Sequence, residues 1–197
     1  MATGLIDCFV APLPPICQVG ENSKEMSRIS RSAVLRAIKA VQEMKADQKL
    51  KLADEIFSSQ PNLLGSVLVL RSLGVSAAKQ EFAFEILLLC FQAMKESGRT
   101  WPLITEDEQE SQMRHHTALL RFYASLDGSA EKDNSVRQFI NTYPEQDLLA
   151  WVMTKTRDWR LNSPIEENDR YLLQAVVNIV NCIALVSIPA NHSQPDQ

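Results

Sequence analysis

Residues 77 to 97 constrain the fold more than any other stretch of this chain. Ser76 stands where a helix N-cap belongs, and Gly98 stands just past the far end. Between them Phe82, Ala83, Phe84, Ile86, Leu87, Leu88, Leu89, Cys90, Phe91 and Met94 leave only a narrow polar stripe of Glu81, Glu85, Gln92 and Glu96. A helix that is apolar almost all round has to be enclosed by other elements. The rest of the chain must therefore supply a shell of amphipathic segments, with this helix at the centre.

The flanking sequence supplies such segments. From Lys24 to Ala46, residues Met26, Ile29, Ala33, Val34, Ala37, Ile38, Val41 and Met44 recur on one half of a helical wheel. Asp47 reads as the cap of a second helix over 48–59, with Leu50, Ala53, Ile56 and Phe57 inward. Leu63 to Leu73 is a short apolar run closed by Gly74, and 67–73 is its one stretch that periodicity cannot assign. Thr105 with Glu108 forms a capping box for a helix to Leu126, and its acidic first turn suits the helix dipole. Helices are expected next over 135–142 and 145–159. Ser163-Pro164-Ile165-Glu166 then combines an N-cap, a proline at the first helical position and a capping-box glutamate, opening a last helix that runs to Val186.

No segment reads as a strand, no repeat recurs at a fixed period, and no low-complexity linker divides the chain. The expected fold class is all-α: a single-domain irregular bundle of about seven or eight helices, counted from their periodicity and caps. It should span residues 23–188, after an apolar, proline-containing N-terminal arm (1–22) and before a loose C-terminal tail (189–197).

With 197 residues, 45% of them hydrophobic and 22% charged, the chain can bury a core without staples. A net charge of −4 argues against coating nucleic acid through overall charge. The four cysteines, Cys8, Cys17, Cys90 and Cys182, form no Cys-x-x-Cys pair, and the last two lie in apolar helical stretches. They read as small hydrophobes in a reducing compartment. Met1 to Val10 carries Asp7 and no basic n-region, unlike a secretion signal, so the Asn191-His192-Ser193 sequon has little meaning. The longest apolar segment, Tyr171 to Ala190, holds Gln174, Asn178 and Asn181 on one stripe and ends at Pro189. That suits a bundle helix better than a membrane span, which needs about 20 apolar residues. The compartment expected is the cytoplasm.

Chemistry is sparse. Phosphate-cradling glycine motifs, the Gly-x-Ser-x-Gly elbow and His-Glu-x-x-His are all absent, and no cofactor is implied. His115-His116 is the sharpest local feature. Adjacent helical residues point about 100° apart, so the pair cannot chelate one ion. Neither has a carboxylate three or four residues before it, so a metal would need acids from other helices, with Glu85, Glu81 and Asp169 as candidates. Glu85 and Arg71 each interrupt an apolar run and invite a buried ion pair or a pocket role. Gln174, Asn178 and Asn181 suggest an interhelical hydrogen-bond seam.

Recognition by surface remains. Lys24, Arg28, Arg31, Arg36 and Lys39 share the polar face of the first helix, and residues 24–51 hold eight bases against three acids. Residues 106–147 hold nine acids against four bases. Such asymmetry steers an acidic partner or nucleic acid, or pairs within the chain itself. Arg99 and Trp101 are residue types common at binding hot spots. Pro12 and Pro15 satisfy Pro-x-x-Pro without a flanking Arg. The expected function is a protein-interaction or regulatory module, self-associating or within a complex, without a catalytic site of its own. The alternatives are a nucleic-acid binder using the basic face and a metal- or cofactor-dependent helical enzyme using His115 or His116.

Overall fold

The computed structural model describes residues 27–126 and 129–187. The arm at 1–22 with its prolines and Cys8 and Cys17, the candidate Lys24, the Asp127-Gly128 turn and the 189–197 tail lie outside the described residues. Those described form eight α-helices: α1 (Arg31–Glu43), α2 (Ala46–Ser59), α3 (Pro61–Leu68), α4 (Ala77–Glu96), α5 (Glu106–Ser125), α6 (Ser129–Thr142), α7 (Gln146–Asn162) and α8 (Asp169–Leu185). A single 3-10 turn, Val69–Arg71, extends α3. The ambiguous stretch at 67–73 is thus helical as far as Arg71 and a turn beyond it, and the all-α bundle is the observed class.

The apolar α4 lies at the centre, as its composition requires, and packs against α1, α2, α3 and α8. Its residues Ile86, Leu87, Leu88, Leu89, Cys90, Ala93 and Met94 are buried in one continuous cluster with Val176, Ile179, Val180 and Ile183 of α8. The second layer follows: α5 lies along α8, and α7 spans α8 and α1. Cys90 and Cys182 are free and buried, and burial pushes both thiols up to about 12. Among the described residues, no helix is long and apolar enough to cross a membrane.

Several expected boundaries shift, the first and last helices for a tertiary reason and α2 for a local one. The first helix starts at Arg31, because Ser30 takes the N-cap and accepts from Ala33 N, while the amides of Arg28 and Ile29 are drawn away to Glu145. In α2 the N-cap is Lys45, whose N–H donates to Gln48 Oε1 at 2.8 Å, so Asp47 falls in the first turn. The last helix starts at Asp169 and not at Pro164. Its carboxylate accepts from Glu166 N, and Lys79 Nζ donates to Pro164 O, holding 163–168 out of helix. The inward face of α2 is carried by Leu52 and Ile56, while Leu50 and Phe57 stand exposed.

Candidate functional site between α5, α6 and α8

A capping box opens α5: Thr105 Oγ1 accepts from Glu108 N at 3.2 Å, and Glu108 Oε2 accepts from Thr105 N at 2.7 Å. From that fixed start α5 runs beside α8 in the same direction. Asn178 Nδ2 donates to Gln109 O at 3.2 Å, and further along both helices Gln112, His116 and Leu119 meet Asn181 and Leu185 across a cleft of about 200 Å³. The end of α6 closes the third side with Phe139, Thr142, Tyr143 and Pro144. The Phe139 and Tyr143 rings lie 5.5 Å apart, and Tyr143 Oη donates to Asn181 Oδ1 at 2.8 Å. Two members of the amide stripe, Asn178 and Asn181, thus form a hydrogen-bond seam to α5 and to Tyr143.

The two histidines part company here. His115 is exposed at the rim and His116 is buried. Desolvation, aided by the neighbouring His115, lowers the His116 imidazole from 6.5 to about 4, so it is neutral near pH 7. Burial, with the nearby Cys182, Cys90 and Glu145, drives the Tyr143 phenol upward, so it acts as a hydroxyl and not a phenolate. Among the described residues, no Asp, Glu, Lys or Arg lines the cleft. The acids nominated for a metal are elsewhere: Glu81 and Glu85 are exposed on α4, and Asp169 is bound to Lys79. Among the described residues, no three His, Cys, Asp or Glu gather closely enough to hold an ion.

The Glu85–Arg71 core pair does not form. Both side chains are exposed, and Arg71 Nη1 donates to Val75 O at 2.8 Å within its own turn. The basic face of α1 is also less open than its sequence suggests. Arg28 lies ahead of the helix and is held inside the fold. Arg36 Nε donates to Glu96 Oε2 at 2.8 Å, and Lys39 lies 4.0 Å from Glu43. Arg31 and Arg99 are exposed. Trp101 is half-buried and donates through Nε1 to Met94 O and Ser97 Oγ, both at 3.2 Å, with the Arg28 guanidinium 5.0 Å above its ring. It anchors its loop, as Gln60 does by bonding Pro102 O and Ile104 N.

Two buried charge clusters escaped the sequence. Glu145 is fully buried and accepts from Ser27 Oγ, Arg28 N, Arg28 Nε and Ile29 N, all between 2.9 and 3.2 Å. The same Arg28 guanidinium donates to the carbonyls of Ile183, Ala184 and Val186, capping the C-terminal end of α8. Lys79 is the second case. Its Nζ contacts Asp169 Oδ1 at 2.5 Å and Glu166 Oε2 at 3.2 Å, over the Trp159 ring. The partners lie far apart in sequence, so no local pattern announces them.

Comparison with protein families, with curated proteins and with solved structures finds no match in any of the three.

Proposed function

We propose that this chain is a helical protein-interaction module, working by self-association rather than by catalysing a reaction. One observation carries the reading. Leu50 and Phe57, 65% and 68% exposed, stand two turns apart on the open face of α2. Residues seven apart fall on one face of a helix, and clustered exposed apolar side chains mark association surfaces. The stripe complements itself. Two α2 helices laid antiparallel about a twofold axis bring Leu50 of one copy opposite Phe57 of the other, with Lys51 of one beside Asp54 of the other. The basic-face reading draws less support, because Arg28 and Arg36 are already engaged within the fold.

Sedimentation equilibrium tests this reading on the whole chain. The wild type should exceed its 22.2 kDa monomer mass, and a Leu50→Asp, Phe57→Asp double variant should return to it with unchanged helical circular dichroism. A wild type that stays monomeric, or a double variant that associates equally well, overturns the proposal.

A further inference from the structure

The α5–α6–α8 cleft has a composition that points to a class of ligand. Its walls are apolar: Leu119, Phe139, Pro144 and Leu185. Its polar lining consists of uncharged amides, hydroxyls and the two histidines. An ion entering it would lose water and find no opposite carboxylate, ammonium or guanidinium among the described lining residues, so charged ligands are disfavoured. The volume, about 200 Å³, lies below that of sites for drug-sized ligands, which run from roughly 300 Å³ upward. It fits a single ring with one substituent.

The polar groups are arranged to meet a donor and an acceptor together. Tyr143 Oη already donates to Asn181 Oδ1, which fixes the Asn181 amide and leaves its Nδ2 to donate. Thr142 Oγ1 donates to the carbonyls of Gln138 and Phe139, leaving its lone pairs to accept. Gln112 offers both functions. A second observation concerns the same seam one helical turn back. Gln109 Nε2 and Asn178 Oδ1 are buried with no hydrogen-bond partner among the described residues, one a donor and the other an acceptor. Buried polar atoms without partners are rare in folded proteins. Neither residue lines the cleft, so the match to a ligand's donor and acceptor rests on Gln112, Thr142 and Asn181.

We propose that the cleft binds a small uncharged molecule bearing a carboxamide, its ring against Leu119, Phe139 and Leu185 and its amide toward Gln112, Thr142 and Asn181. The α2 stripe plays no part in this, so the two proposals fail independently.

Benzamide is the probe, with benzoate as the charged isostere and benzonitrile as the isostere without a donor. In proton–nitrogen correlation spectra of the whole chain, benzamide should shift the side-chain amides of Gln112 and Asn181 saturably, with affinity about tenfold or more above either control. Gln112→Leu keeps the walls and should weaken benzamide by about tenfold, and Leu119→Trp should fill the cleft and abolish the shifts. If Leu119→Trp fails to fold, Gln112→Leu decides alone. Equal response to benzamide and benzoate, shifts that do not saturate up to the solubility limit, or full binding by Gln112→Leu overturns the proposal.

Discussion

Arg28 Nε lies 3.2 Å from Glu145 Oε1, and the carboxylate has no exposure to solvent. This ion pair joins the segment leading into α1 to the start of α7, while the rest of the guanidinium reaches the end of α8. Removing one partner leaves the other charged, buried and without its counter-ion. Glu145→Ala should therefore cost about 3–5 kcal/mol, the range for breaking a buried pair. Replacing both, as in Arg28→Met with Glu145→Ala, should cost less than the sum of the single losses. Urea unfolding of the two singles and the double measures this; strictly additive losses would contradict the coupling.

Lys79 and Asp169 join α4 to the start of α8 and hold the 163–168 segment between them. Asp169→Ala takes the closer of two carboxylates from a buried ammonium, leaving it Glu166 and the Pro164 carbonyl, and releases the Glu166 amide, for a loss of about 1.5–3 kcal/mol. The exposed Arg114–Glu110 pair makes the comparison, since surface pairs contribute at most about 1 kcal/mol. Thermal unfolding should separate Asp169→Ala from Glu110→Ala by several degrees, and similar midpoints for the two would count against the assignment.

Acid should weaken the fold through His116. The native imidazole resists protonation until about 4, whereas in the unfolded chain it accepts a proton near 6.5. Between those values the unfolded state binds more protons, so stability is full above the upper one and declines as pH falls toward the lower. The loss approaches roughly 3 kcal/mol. His116→Gln should flatten this part of the pH–stability curve, measured by urea midpoints from about pH 7 to pH 4. A variant retaining the full slope would show that another group is responsible.

Two glycines should respond oppositely to alanine. Gly74 has φ +80°, and a Cβ there would come within 2.5 Å of Asn168 Nδ2, which donates to Gly74 O. Gly74→Ala should lose about 1–2 kcal/mol from left-handed strain alone. Gly65 lies within α3 with nothing within 4 Å of a built Cβ, so Gly65→Ala should gain about 0.5–1 kcal/mol. Melting temperatures moving the same way in both would refute this.

Periodicity and caps made most helices legible. The Thr105–Glu108 box marked the start of α5, and Gly98 lies just past α4 with φ +69°. Two boundaries failed where a distant side chain competes for the backbone, as Glu145 does at 28–29 and Lys79 at 164. On α2 the apolar arc is wider than the face its neighbours cover, so the pattern alone could not show that Leu50 and Phe57 stay outside. His115-His116 was legible as unusual, and the 100° between neighbouring helical residues foretold that the two would diverge. Which one faces the interior was not legible. Tyr143 and Gln112 were missed as lining residues because nothing local distinguishes them from packing or surface residues.

The sequence by itself determined an all-α bundle around the helix at 77–96, because local periodicity and capping depend on residues within a few turns of one another. Tertiary structure alone decided that Arg28 serves Glu145 and not a partner, that Lys79 lies buried over Trp159, and that a cleft without formal charges opens beside His116. The two ion pairs join residues 117 and 90 positions apart in the chain, and all three arrangements are set by packing and desolvation, which leave no periodic trace.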